Sequence, residues 1–232
     1  MPTNRAEFAE VVSAVRDHTA LLLGTTIGYS DDDWAAPTGL AGWTRSHVAA
    51  HLAEGANGMV RVIHGIDSGT PTRMYESQAA KHHAIEVGAL TSGLALQIRL
   101  DTSASELQRE FAALEGDTRP VALRAGYRIP ASQMPLARLG EVVLHHMDLG
   151  SQFSTADLTP EIAVALLAFH VDRIGRRDDF PPLRLVADEG YEGSVGRSGM
   201  PTQMNGPAGD LVAWLARGTE SPRIYRSTES DA

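Results

Sequence analysis

The spacing of apolar residues over roughly the first 150 positions predicts a bundle of helices. Apolar side chains recur there at steps of three and four, the spacing of one face of an α-helix, in four segments. The segments are residues 4–27, 44–66, 92–114 and a stretch that begins near Pro135. Thr44 can cap the second helix, and Pro135 is acceptable in the first turn of the fourth. We therefore expect a four-helix bundle.

Shorter segments separate these helices. Residues 76–89 are also predicted to be helical, whereas an acidic run followed by proline and glycine predicts a loop over residues 30–39. Residues 121–129 lie between prolines and are predicted to be extended. Gly55 and Gly58 fall within the second helix, so a neighbouring group can approach the helix backbone closely there.

The pattern changes after residue 153. Residues 160–176 favour a helix, residues 183–187 favour a strand, and a glycine-rich stretch of turns extends to Gly206. A short final helix is predicted over residues 208–216, followed by a polar tail after Ser227 that is predicted to be disordered. We therefore predict a mainly α chain, with a four-helix bundle at 1–153 and a small α+β domain at 154–232.

Composition limits the classes of function. The chain has 232 residues, of which 43% are hydrophobic, and a net charge of -9 at pH 7. This acidic charge, with no dense Lys/Arg stripe, argues against nucleic-acid binding. There is no run of about 18 apolar residues and no secretory signal, so we expect a soluble, cytoplasmic protein without a membrane partner. Cysteine is absent, and any thiol chemistry therefore needs a thiol from outside the chain.

The best candidate for chemistry is the helical pair Glu141 and His145. Residues four apart project from the same face of a helix, and the apolar residues around this pair indicate that the face is buried. A buried carboxylate needs a cation, a metal or hydrogen-bond donors. His47 and His51 form a second pair at the same spacing, and spacing alone leaves either of them as the third ligand. Two imidazoles and one carboxylate suit zinc, and three protein ligands leave one position open for catalysis.

Arg217, at the end of the last predicted helix, is a second candidate. A guanidinium there can bind a carboxylate at two points, or it can complement the dipole of the helix. Gly218 follows it and can end the helix. The residues alone leave both roles open.

Five segments carry a resemblance to a known family. Three of them are Gly42-Trp-Thr-Arg-Ser-His-Val-Ala-Ala-His51-Leu-Ala, Glu141-x-x-x-His145-x-x-Asp148-Leu-Gly150 and Gly206-x-x-Gly-Asp-Leu-x-x-Trp-Leu-Ala-Arg217-Gly218. The other two are shorter, Thr70-Pro-Thr-Arg-Met74-Tyr75 and Ile129-Pro-Ala-Ser132. Together they resemble the mycothiol-dependent maleylpyruvate isomerase family, whose metal-binding bundle is DinB-like. The resemblance extends over nearly the whole chain. It implies that the metal ligands are His51, Glu141 and His145, and it thus favours His51 over His47 as the third ligand. It also implies that Arg217 is the functional arginine.

The resemblance also implies a reaction. It indicates a zinc-dependent enzyme that uses mycothiol, a low-molecular-weight thiol, to convert maleylpyruvate to its trans isomer fumarylpyruvate in the gentisate route. The thiolate adds to the conjugated double bond, rotation follows, and elimination returns the thiol, while Arg217 holds a substrate carboxylate or oxyanion. A mycothiol S-transferase on the same scaffold and a non-catalytic metal-binding module stay open as alternatives. The thiol, the small-molecule substrate and the oligomeric state, monomer or homodimer, are also left open.

Overall fold

The computed structural model describes residues 7–124, 127–175, 177, 179–197 and 199–227. The chain divides into two compact units, one formed by Phe8–Gln152 and one formed by the residues up to Glu7 together with those from Phe153 onward. Each unit has its own secondary structure and its own buried apolar residues.

Four long helices form the body of the first unit, as the hydrophobic spacing predicts. The helices of this unit are α1 (Phe8–Thr26), α2 (Asp31–Ala35), α3 (Arg45–Asp67), α4 (Gln78–Ala89), α5 (Gly93–Glu110) and α6 (Met134–Asp148). Helices α1 and α3 both pack against α5 and α6, and α4 lies against α3. The prediction of a mainly α chain with a four-helix bundle is confirmed. Among the described residues, no helix combines the length and the apolar character that crossing a membrane requires.

The apolar faces of these helices meet in one core. Val48 and Leu52 on α3, Leu96 and Leu100 on α5, and Val142 on α6 are each at most 3% exposed. Burying a side chain of this size contributes about 1.5–3 kcal/mol. This packing holds α3 beside α6 and thereby brings together residues that are far apart in the sequence.

The segment predicted as a loop over residues 30–39 contains the short helix α2, so that prediction is wrong for residues 31–35. The Ser30 side chain accepts a hydrogen bond from the Asp33 backbone N–H, and the Asp33 carboxylate accepts one from the Ser30 N–H at 2.9 Å. Three aspartates in the first turn also suit the positive end of the helix dipole. Trp34 is 3% exposed and anchors the turn to the bundle. These local hydrogen bonds form a helix, although Pro37 and Gly39, which follow it, predict a loop.

Replacing Ser30 with alanine is expected to lower the free energy of unfolding by about 1 kcal/mol, because the substitution removes the cap of α2. Urea denaturation of the full chain measures this. Ser30→Thr keeps the side-chain oxygen and serves as the control. Equal loss of stability in the two variants would show that the cap does not stabilise α2.

A β-hairpin precedes α6. Strands β1 (Pro120–Arg124) and β2 (Tyr127–Pro130) pair antiparallel, with Val121 opposite Ile129. Both of these side chains are buried. The extended segment predicted between the prolines is therefore confirmed, and it has the form of a hairpin. Residues 125–126, between the strands, lie outside the described residues.

The second unit combines two helices with a sheet. Its elements are α7 (Pro160–Gly175), β3 (Leu183–Ala187), β4 (Glu192–Val195), β5 (Thr202–Gly206), α8 (Ala208–Arg217) and β6 (Tyr225–Arg226). The strand order is β4-β3-β5-β6, and β3 and β5 are parallel. The small α+β arrangement predicted for this part of the chain is confirmed. Arg176, predicted to end α7, and the tail predicted to be disordered, residues 228–232, lie outside the described residues.

The glycine-rich stretch up to Gly206 is not made of turns alone, because it contains the strands β4 and β5. The residues of β5 have little local preference for a strand. Its polar side chains are nonetheless satisfied, since Gln203 donates to Asn205 at 2.8 Å and Asn205 donates to Ser227 at 2.8 Å. Pairing with the apolar strand β3 therefore decides the structure of this stretch.

Candidate metal centre

Three side chains from two helices of the first unit meet inside the bundle. His51 on α3 lies 2.9 Å from Glu141 on α6, measured from Nε2 to Oε2. His145 Nε2 lies 3.5 Å from the same carboxylate oxygen. One ligand atom from each residue lies within 4.8 Å of the other two. This is the only group of metal-ligating side chains of its kind within the described residues.

The sequence explains why these three groups meet. Glu141 and His145 are one turn apart on α6, and the residues between them, 142–144, are buried. That face of α6 packs against α3, where His51 is itself buried. The two histidine side chains each retain 8% of their exposure, and Glu141 retains 26%. The cluster therefore lies within the bundle with one partly open side at the carboxylate.

His47 lies outside this cluster. The structure therefore distinguishes it from His51, although their spacing in the sequence made both of them ligand candidates. Its Nδ1 is 2.8 Å from Thr44 Oγ1 and accepts a hydrogen bond from the Thr44 backbone N–H at 3.2 Å. Its Nε2 lies 3.5 Å from Glu86 on α4. His47 thus helps to cap α3, while His51 reaches Glu141.

Asp148 holds His145 from the side opposite to Glu141. Its Oδ2 lies 2.8 Å from His145 Nδ1, and its side chain is 9% exposed. A carboxylate in this position accepts the Nδ1 proton and leaves Nε2 free to bind a metal. The sequence contains Asp148 within a motif, and its three-residue spacing from His145 indicates that the two side chains can meet on one face of α6.

Trp43 packs against the imidazole rings. Its ring centroid lies 5.4 Å from that of His51 and 6.4 Å from that of His145, and it is nearly parallel to the latter at 21°. The His51 and His145 rings meet edge to face at 4.7 Å. The sequence pattern did not identify Trp43, because one aromatic residue before a helix carries no spacing signal.

The protonation states of the three groups differ. Burial alone would raise the pKa of Glu141, but hydrogen bonds from His145 and His51 hold it well below its ordinary value. Burial lowers the pKa of His51, against the opposing effect of Glu141. Burial would also lower the pKa of His145, but its bonds to Asp148 and Glu141 raise it. The cluster therefore contains an ionised carboxylate, a neutral imidazole and a second imidazole that retains its proton more readily.

These side chains meet the requirements of zinc. Zinc binds imidazole nitrogens and carboxylate oxygens, and three protein ligands leave a fourth position open. Glu141 is already ionised, as a ligand must be, and a metal would displace the protons that the Nε2 atoms of His51 and His145 direct at its carboxylate. The donor set and its spacing thus fit a zinc ion with an open position.

Arg217 lies in the second unit, whereas the three clustered residues lie in the first. It is the last residue of α8, its side chain is exposed, and its Nη1 donates to the Ala216 carbonyl at 3.3 Å. Gly218 follows in a left-handed conformation with φ 69° and ends the helix, as predicted. The functional role of Arg217 stays a prediction.

Comparison with known proteins supports the resemblance found in the motifs. Residues 15–150 match the family model of the mycothiol maleylpyruvate isomerase N-terminal domain. A crystal structure of the mycothiol-dependent maleylpyruvate isomerase is 23% identical, with a TM-score of 0.84 over 96% of this chain and 93% of that chain. A structure of a histidine-to-alanine mutant under the same name is 22% identical, with the same TM-score and coverage. At these identities the two structures show the fold.

No curated protein sequence matches the chain. The family model nevertheless covers more than half of it and includes the stretches that carry all three clustered residues. The family predicted from the motifs is thereby confirmed. The chain belongs to the family of mycothiol maleylpyruvate isomerase N-terminal domains, which are enzyme domains.

Proposed function

We propose that this chain is a zinc- and mycothiol-dependent isomerase that converts maleylpyruvate to fumarylpyruvate, with His51, Glu141 and His145 as the metal ligands. The observation that carries the proposal is the cluster of these three side chains, within 4.8 Å of one another, in a chain of this family. Bound zinc would supply an open coordination position at which a thiol ionises more readily. The proposal makes residues 1–153 the metal-binding domain and residues 154–232 a separate domain.

The side chains around the cluster support this use. Asp148 accepts the Nδ1 proton of His145, so that Nε2 is directed toward Glu141. The Trp43 indole lies against the His51 and His145 rings, and both histidines are buried from solvent. Less water strengthens every electrostatic interaction within the site.

A thiol nucleophile has to come from outside, because the chain contains no cysteine. Reversible addition of a thiol to the conjugated double bond turns it into a single bond, about which the substrate can rotate before elimination restores the trans double bond. Arg217 is proposed to bind a substrate carboxylate or the developing oxyanion through two N–H groups.

Purified protein freed of small thiols is expected to leave maleylpyruvate unchanged, and added mycothiol is expected to start its conversion to fumarylpyruvate. Chromatography of the reaction mixture measures both compounds. S-methyl mycothiol, which keeps the sugar groups and lacks the free thiol, is the matched control and should give no turnover.

Two outcomes would contradict the proposal. Rapid turnover without any thiol would show that the nucleophile is not borrowed. A stable thioether between mycothiol and the substrate, with no trans product, would identify an S-transferase on the same scaffold.

A further inference from the structure

Residues 70–75, which connect α3 to α4, are held firmly against α3. A Cβ atom at Gly65 would collide with Thr72, and a Cβ at Gly58 would lie 3.1 Å from Met74, so both glycines allow this close approach. Arg61 donates a hydrogen bond to the Met74 carbonyl at 2.6 Å. The close approach predicted for Gly58 is confirmed, and it fixes the position of the next residue, Tyr75.

Within the part of the chain that the structure describes, the Tyr75 hydroxyl is buried and has no hydrogen-bond partner. A buried hydroxyl without a partner costs free energy, so such a group in a native protein calls for an explanation. Tyr29, in the same unit, shows the ordinary arrangement, because its hydroxyl donates to the Leu149 carbonyl at 3.3 Å. The isolation of the Tyr75 hydroxyl is therefore a local feature of its surroundings.

Those surroundings include the candidate metal centre. Burial and the charges of Glu54 and Glu141 raise the pKa of Tyr75 to about 12, against the opposing charges of Arg61 and Arg138. The phenol thus keeps its proton at neutral pH and can act only as a neutral hydrogen-bond donor or acceptor. Glu141 is a member of the cluster, so the hydroxyl lies within electrostatic range of it.

Cations as well as carboxylates act on the Tyr75 side chain. Arg138 is 3% exposed and donates to the carbonyl of Leu52, the residue that follows His51. The Lys81 ammonium lies 5.7 Å from the centre of the Tyr75 ring, and after burial and the effect of His145 its charge also lowers the pKa of His51. Tyr75 and the metal centre therefore share the cations Arg138 and Lys81.

We propose that the Tyr75 hydroxyl donates a hydrogen bond to a carboxylate or enolate oxygen of the ligand that occupies the open side of the metal centre. The identity of that ligand as a cis-configured dicarboxylate rests on the proposed function. The hydroxyl is unpaired in the free protein because its acceptor arrives with the ligand. Tyr75 is then a substrate-binding residue that works beside the metal ligands.

Calorimetric titration of maleate, a cis dicarboxylate, into the metal-loaded protein tests this inference. Tyr75→Phe removes one oxygen and is expected to weaken maleate binding about tenfold or more, as the loss of a hydrogen bond to a charged group does. The melting temperature of this variant should be unchanged or higher, since no protein hydrogen bond is lost. Tyr29→Phe is the matched control, with a lower melting temperature and unchanged maleate affinity.

Equal maleate affinity in the wild type and Tyr75→Phe would show that a trapped water satisfies the hydroxyl, and it would overturn the inference. Absence of maleate binding to the wild type would overturn it as well. These outcomes are separable from failure of the proposed function. A tenfold difference without thiol-dependent turnover would contradict only the isomerase activity, and equal affinity with such turnover would contradict only the role of Tyr75.

Discussion

The His51→Ala protein is expected to lose its metal and, with it, its activity. His51 is the member of the cluster that α3 contributes, so its removal leaves the pair Glu141 and His145 on a single helix. Loss of an outer hydrogen-bond partner typically weakens metal binding about 10- to 100-fold. Loss of a direct ligand should weaken it by at least about 100-fold. Elemental analysis after dialysis measures the effect.

His47→Ala is the matched control for this experiment. It removes an imidazole one turn away on the same helix, whose nitrogens contact Thr44 and Glu86. We expect this variant to keep its zinc, with at most a small loss of stability from the weakened start of α3. Zinc loss in His47→Ala together with zinc retention in His51→Ala would refute the ligand set.

Arg217→Ala is expected to lower turnover by about 30- to 1,000-fold. A charge-assisted contact to a carboxylate or oxyanion stabilises the transition state by roughly 2–4 kcal/mol, which corresponds to that range. Steady-state kinetics with maleylpyruvate and mycothiol measures the loss. Arg217→Lys should recover only part of it, because an ammonium cannot form the two parallel hydrogen bonds of a guanidinium.

Zinc content separates this role from a structural one. Both Arg217 variants should bind as much zinc as the wild type, because the ligand candidates all belong to the other compact unit. Full turnover of Arg217→Ala would show that the arginine only complements the dipole of α8. Zinc loss in this variant would show instead that the residue supports the fold.

The long helices were predictable because each buries a continuous apolar face. The spacing of Val48 and Leu52 marks the buried side of α3, and Thr44 marks its start, so its observed bounds differ little from the predicted ones. The sheet of the second unit was less predictable. Asn205 has no local reason to be in a strand, and partners distant in the sequence, among them β3, β6 and Ser227, determine its structure.

The candidate site was also predictable where it depends on one helix and not where it depends on how two helices pack. The spacing of Glu141 and His145 within one helix shows in the sequence that they share a face. Whether His47 or His51 faces them depends on the rotation of α3 against α6, which spacing within α3 does not specify. The sequence shows Tyr75 only as part of a segment that resembles the family, and its burial does not show there, because it depends on the packing of Thr72 and Met74 against the glycines of α3.

The contact between His51 and Glu141 has a further consequence for how the protein persists. It joins two helices at positions 90 residues apart. An ion shared by these side chains would be a reversible cross-link, and because it would bind the folded chain and not the unfolded one, its binding free energy would add to the free energy of unfolding. A chain without cysteine would thus have the counterpart of a disulfide that depends on metal supply and not on oxidation. Depletion of the metal would then shorten the lifetime of the protein as well as stop its chemistry.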